Sequence, residues 1–107
     1  MTVVLDDKSF RSFVATNRAA FVHFWAAWNG YDMPMRAIIA RVEPSYRDRI
    51  AFGTLDVDPA PHQALCLEHN VAGPPYYAYY RDGVLIKTEV GILTEIELRH
   101  RLDELLK

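Results

Sequence analysis

The chain has 107 residues and a single cysteine, Cys66. No intrachain disulfide is possible, and two-thiol redox chemistry within the chain is excluded by counting. Long apolar runs are also missing. No stretch approaches the ~20 residues that a membrane-spanning helix needs, and no basic segment followed by an apolar run opens the sequence. The reading is a cytoplasmic protein with no membrane partner. Neither sign of charge dominates: 12 Lys and Arg against 14 Asp and Glu leave a net charge of −2. That gives no electrostatic pull toward nucleic acid. Linkers, repeats and low-complexity tracts are absent, so residues 1–107 read as one domain. Half of the residues are hydrophobic, which suits a compact core and is too apolar for a disordered chain.

Thr2-Val3-Val4-Leu5 reads as a short first strand. Asp6 or Asp7 can cap a helix that carries Phe10, Phe13 and Val14 on one face. Phe21 to Trp25 is a nearly continuous apolar run, as in a strand covered on both faces. A helix is expected from about Asp32 to about Arg47, with Ile38, Ile39, Val42 and Tyr46 as its apolar stripe. Pro34 fits its first turn, and Pro44 bends or ends it. Ile50 to Val57 reads as a third strand, and Pro61 to His69 as a short helix. Tyr76 to Tyr80 and Val84 to Val90 are two further strands. Arg81-Asp82-Gly83 forms the tight turn between them, with Gly83 free to take positive φ. Thr94-Glu95-Ile96-Glu97 is a capping box that opens a last helix, with Leu98, Leu102, Leu105 and Leu106 inward. The order βαβαβαββα implies an α/β fold: a central mixed five-stranded sheet with helices on both faces.

Several stretches carry a resemblance. Phe24-Trp25-Ala26-Ala27-Trp28-Asn29-Gly30 is similar to the thioredoxin lead-in Phe-Trp-Ala-x-Trp-Cys-Gly-Pro-Cys. Leu55-Asp56-Val57-Asp58 resembles that family's third strand. Val71-Ala72-Gly73-Pro74-Pro75 resembles its cis-proline loop, with Pro75 as the cis-proline, and Val90-Gly91 before a capped helix resembles its end. The resemblance spans about residues 2–107 and implies the thioredoxin fold.

The same comparison implies that the family's chemistry is gone. Its two cysteines fall at Asn29 and Asp32, its buried aspartate at His23, and that aspartate's lysine partner at Thr54. The family reaction needs a low-pKa thiolate at a helix N-terminus and a resolving thiol three residues on. Neither an amide nor a carboxylate replaces a sulfur nucleophile in that exchange. No catalytic residue is therefore assigned, and oxidoreductase activity of the thioredoxin type is expected to be absent.

Asn29 and Asp32 read most simply as helix caps. His23 reads as a neutral interior residue bonded to a backbone group or a tyrosine hydroxyl. The buried tyrosines among Tyr76, Tyr77, Tyr79 and Tyr80 each need a partner for the hydroxyl. His62, Cys66 and His69 share a helical face, but without a fourth ligand they make a weak metal signal, and no metal or cofactor is assigned.

What the resemblance leaves is a peptide-gripping groove, at Trp28, Gly30, Tyr31, Val57, Gly73, Pro74, Pro75, Gly91 and Ile92. In the family the residue before the cis-proline pairs its backbone with a bound strand. Here that residue is Pro74, which has no N–H to give. The expected function is a monomeric binding or assembly module, chaperone-like, for an unknown protein or peptide. The alternative is an atypical redox protein that pairs Cys66 with a partner's thiol.

Overall fold

The computed structural model describes all of residues 1–107. Its elements are β1 (Val3–Val4), α1 (Phe10–Thr16), β2 (Ala19–Trp25), α2 (Asp32–Tyr46), β3 (Ala51–Asp56), α3 (Gln63–Glu68), β4 (Tyr76–Arg81), β5 (Val84–Val90) and α4 (Glu95–Leu105). A turn of 3₁₀ helix at Ala60–His62 leads into α3. The strands form one mixed sheet of five in the order β1-β3-β2-β4-β5. β1 and β2 run parallel to β3, while β4 is antiparallel to both β2 and β5. This is the thioredoxin fold.

β2 lies at the centre of the sheet, and its side chains alternate between two cores. Ala19 and Phe21 join Phe52, Tyr77 and Tyr79 beneath α2 and α4. Ala20, Val22 and Phe24 join Leu55, Ala78 and Tyr80 on the opposite face, with Phe10 of α1 and Leu65 of α3. Burial on both faces explains why this strand lacks an alternating pattern. The alternation also sends His23 to the face covered by α2.

Local chemistry places most boundaries. The Thr94 side chain accepts from the Glu97 N–H and the Glu97 carboxylate accepts from the Thr94 N–H, which starts α4. Asp82 and Gly83 take φ of 53° and 79° in the β4–β5 turn. Asp6 accepts from the N–H groups of Lys8 and Ser9, so it organises the turn before α1 and does not cap the helix itself. Pro44 sits inside α2, which runs only two residues further. Pro44 has no N–H for the helix ladder, and the cost falls in the last turn, where few bonds remain to lose.

Each core tyrosine of β4 finds a partner. Tyr77 donates to the Gly91 carbonyl at 2.8 Å, Tyr79 donates to Glu89 at 2.9 Å, and Tyr76 donates to the His69 carbonyl. The Tyr80 hydroxyl meets Nε2 of His69, whose Nδ1–H donates to the Leu65 carbonyl. Burial pushes the phenol pKa values of Tyr77, Tyr79 and Tyr80 well above the usual range, and the charge of Glu89 adds to the effect at Tyr79. The unfolded chain loses these protons near pH ~10 while the folded chain retains them. Between those limits the unfolded state binds fewer protons, so stability falls as pH rises, by up to about 1.4 kcal/mol per pH unit for each phenol. Ultraviolet titration should show the phenolate signal of these three residues appearing together with alkaline unfolding, not before it.

Candidate functional site

The loop between β2 and α2 carries the positions where the redox cysteines of the resembling family fall. Two polar side chains beside it point into the structure, His23 from β2 and Asp32 from the first residue of α2. Asp32 is 1 % exposed and His23 is 2 % exposed. Nε2 of His23 lies 2.9 Å from Oδ1 of Asp32, and Oδ2 of Asp32 accepts the Ala26 N–H at 3.0 Å. The His23 ring also stacks on Tyr77, with centroids 5.4 Å apart. Thr54, across the β2–β3 ladder, donates its hydroxyl to the His23 carbonyl at 3.3 Å.

This corrects two expectations. His23 bonds to a carboxylate, not to a backbone group or a tyrosine. Asp32 is the first residue of α2 but does not cap it: the N-cap position is Tyr31, with no side-chain cap bond. The alternation of β2 turns His23 toward α2, and the first turn of α2 covers that end of the face. A carboxylate there gains more from a buried imidazole and an amide than from solvent-facing helix N–H groups. Each buried polar atom is thereby satisfied.

Asn29 is not a helix cap either. Its Oδ1 accepts the Tyr31 N–H at 2.8 Å, and its Nδ2–H donates across to the Pro74 carbonyl. The Pro74–Pro75 peptide bond is cis, and the Pro75 carbonyl accepts the Gly91 N–H at 2.9 Å. The turn, the proline loop and Gly91 therefore meet at one end of the sheet.

That end is aromatic outside and polar beneath. Trp28 is 67 % exposed, Tyr31 60 % and Ile92 54 %. The Trp28 indole N–H donates to Asp58 at 2.8 Å, a partner that sequence reasoning missed. Trp28, Val57, Gly73 and Pro74 line a shallow pocket of about 240 Å³, which also touches Cys66. Gly30, Tyr31, Gly91 and Ile92 lie outside it. Of the nine groove positions, four line the pocket, four form an open rim, and Pro75 is buried beneath them. The largest pocket of the molecule, about 400 Å³, is elsewhere, between β5 and α4.

Cys66 is buried, and burial pushes its thiol pKa up, so the thiolate is disfavoured. His62 donates its Nδ1–H to the Asp56 carbonyl at 2.6 Å, and the His69 ring is held between Leu65 and Tyr80. No three His, Cys, Asp or Glu side chains converge into a metal-binding group. No helix is long and apolar enough to cross a membrane.

The thioredoxin family profile matches residues 1–104. The chain belongs to the thioredoxin family. It is 24 % identical over 103 residues to a thioredoxin of Buchnera aphidicola, covering 95 % of this chain and 94 % of that one. A thioredoxin of Mycolicibacterium smegmatis is 26 % identical over 106 residues, covering 98 % and 95 %. Among solved structures, the oxidised thioredoxin of Plasmodium falciparum superposes with a TM-score of 0.85 over 100 % of both chains at 18 % identity. Thioredoxin O2 of Arabidopsis thaliana gives 0.84 at 23 % identity, over 99 % of this chain and 95 % of that one. This thioredoxin-family chain has one cysteine, far from the turn between β2 and α2 in sequence, and so lacks the family's cysteine pair.

Proposed function

We propose that this protein is a binding or assembly module of the thioredoxin family, acting as a cytoplasmic monomer on a protein or peptide partner, without dithiol–disulfide exchange. One observation carries the reading. The side chains at the two former cysteine positions are both engaged in holding the fold, Asp32 with His23 and the Ala26 N–H, and Asn29 with the Tyr31 N–H and the Pro74 carbonyl. Above them Trp28, Tyr31 and Ile92 stay open. A surface that keeps exposed aromatics over a locked polar layer suits contact better than chemistry.

The mode of contact also follows. Pro74 has no N–H, and Asn29 occupies its carbonyl. Strand addition at this loop lacks its donor and shares its acceptor with Asn29, which favours recognition through side chains. The test is capture of the native partner by the intact chain and by Tyr31→Ala and Ile92→Ala. The expected result is weaker capture at an unchanged melting temperature. Unchanged capture by both variants would place the interaction elsewhere.

The second reading, redox pairing through Cys66, has one observation in its favour: Cys66 touches the pocket beside Trp28. Its burial and raised thiol pKa oppose it. Alkylation of Cys66 in the native chain is expected to be many times slower than in the unfolded chain. Labelling at equal rates would favour the redox reading.

A further inference from the structure

We propose a second docking surface, independent of the Trp28 face: the open edge of β5 and the basic cleft beside it take an extended acidic segment of a partner protein as a sixth strand. β5 ends the sheet, with β4 on one side and nothing on the other. Alternate N–H and C=O groups along its outer edge are therefore free to pair. Val84, Leu85, Ile86 and Val90 of this strand are exposed.

The charge beside this edge selects the partner. The pocket of about 400 Å³ between β5 and α4 is lined by Arg81, Lys87, His100 and Arg101, with Glu104 as the one acid in its wall. Arg101 is balanced by Glu89, which lies 3.0 Å from its Nε. Arg81 gives Nη1 to the Leu105 carbonyl at 3.0 Å and keeps the rest of its guanidinium for another acceptor. Lys87 enters no salt bridge. Uncompensated positive charge thus sits against an unpaired strand in a chain whose net charge is −2.

An acidic strand satisfies both features. Its main chain pairs with β5, and an alternate carboxylate side chain reaches Lys87 and Arg81. Ile86 has no partner on β4, where the pairing slips between Tyr79 and Tyr80, and it lines the same cleft. Regular pairing is then available from Lys87 to Val90, with Ile86 offering an apolar contact beside it. A second copy of this chain fits less well, because antiparallel pairing centred on Lys87 sets two like charges opposite each other. Lysine on an edge is a common guard against such self-pairing.

The test is an amide-resonance titration of the full chain with a synthetic peptide alternating valine and glutamate. A peptide alternating valine and lysine is the control. The expected result is shifts confined to residues 84–90 and the cleft, with affinity falling at least about tenfold in Lys87→Glu and falling also with added salt. Lys87 is exposed, so the variant should keep the parent melting temperature. Equal affinity for the two peptides, shifts centred on Trp28 and Tyr31, unchanged affinity in Lys87→Glu, or sedimentation showing a dimer joined through β5 would each overturn the proposal.

Discussion

Asp32→Ala should destabilise the fold by about 3–5 kcal/mol, the range for removing one partner of a buried pair. The variant leaves Nε2 of His23 without its 2.9 Å partner and the Ala26 N–H without its acceptor, both in a region closed to water. Native domains hold only about 5–15 kcal/mol in total, so thermal unfolding should move down by well over ~10 °C. Asp32→Asn keeps an acceptor and adds a donor, and should cost less, within about 1–2 kcal/mol. His23→Ala should be as severe as Asp32→Ala, since it strands the carboxylate instead. The double variant should cost less than the sum of the two, with a coupling of up to ~3 kcal/mol between neighbours that share one bond. Chemical denaturation of the four proteins measures this. Additive single effects under about 1 kcal/mol would mean that the pair is incidental to the fold.

The second large effect is on binding. Trp28→Ala should weaken capture of the native partner by about thirtyfold or more, the size of a ~2 kcal/mol hot spot. Trp28 is suited to that role because most of its ring is exposed while its indole N–H is fixed by Asp58. A rigid, open aromatic loses little entropy when a partner covers it. The competing view is that Trp28 seals the end of the sheet. A residue 67 % exposed has little core contact to lose, so stability should change by about 0.5 kcal/mol or less. Asp58→Asn separates the two views further: it weakens the fixing bond without removing the ring, and should reduce capture less than Trp28→Ala does. A large fall in melting temperature with no specific loss of capture would assign Trp28 to structure.

The fold was legible because its signals are local. The capping box at Thr94–Glu97, the Asp82-Gly83 turn and the two-sided apolar run of β2 each depend on neighbours within a few residues. One core residue was missed that the same reasoning reaches. Met35 lies one turn before Ile39 and two before Val42 on the stripe of α2, and it is fully buried, with the Leu93 N–H directed at its sulfur at 3.4 Å. The site was less legible. His23, Asp32, Asn29 and Thr54 stand at altered positions of a familiar pattern, but nothing in the sequence shows that His23 and Asp32 pair with each other. Whether a short polar residue at a helix start caps the helix or turns inward depends on what the adjacent strand presents beneath it. Here β2 presents an imidazole, so Asp32 turns in. Asn29 likewise turns across to Pro74, 45 residues away, a contact set by the packing of two loops and not by either sequence.

This thioredoxin-family turn is expected to perform no thiol exchange. The most direct measurement is the rate at which a small dithiol reduces a protein disulfide in the presence of this chain and of its Cys66→Ser variant. Both should give the rate of the protein-free control, because no thiol stands at Asn29 or Asp32 and the one thiol present is buried. Turnover above that control, abolished in Cys66→Ser, would contradict it.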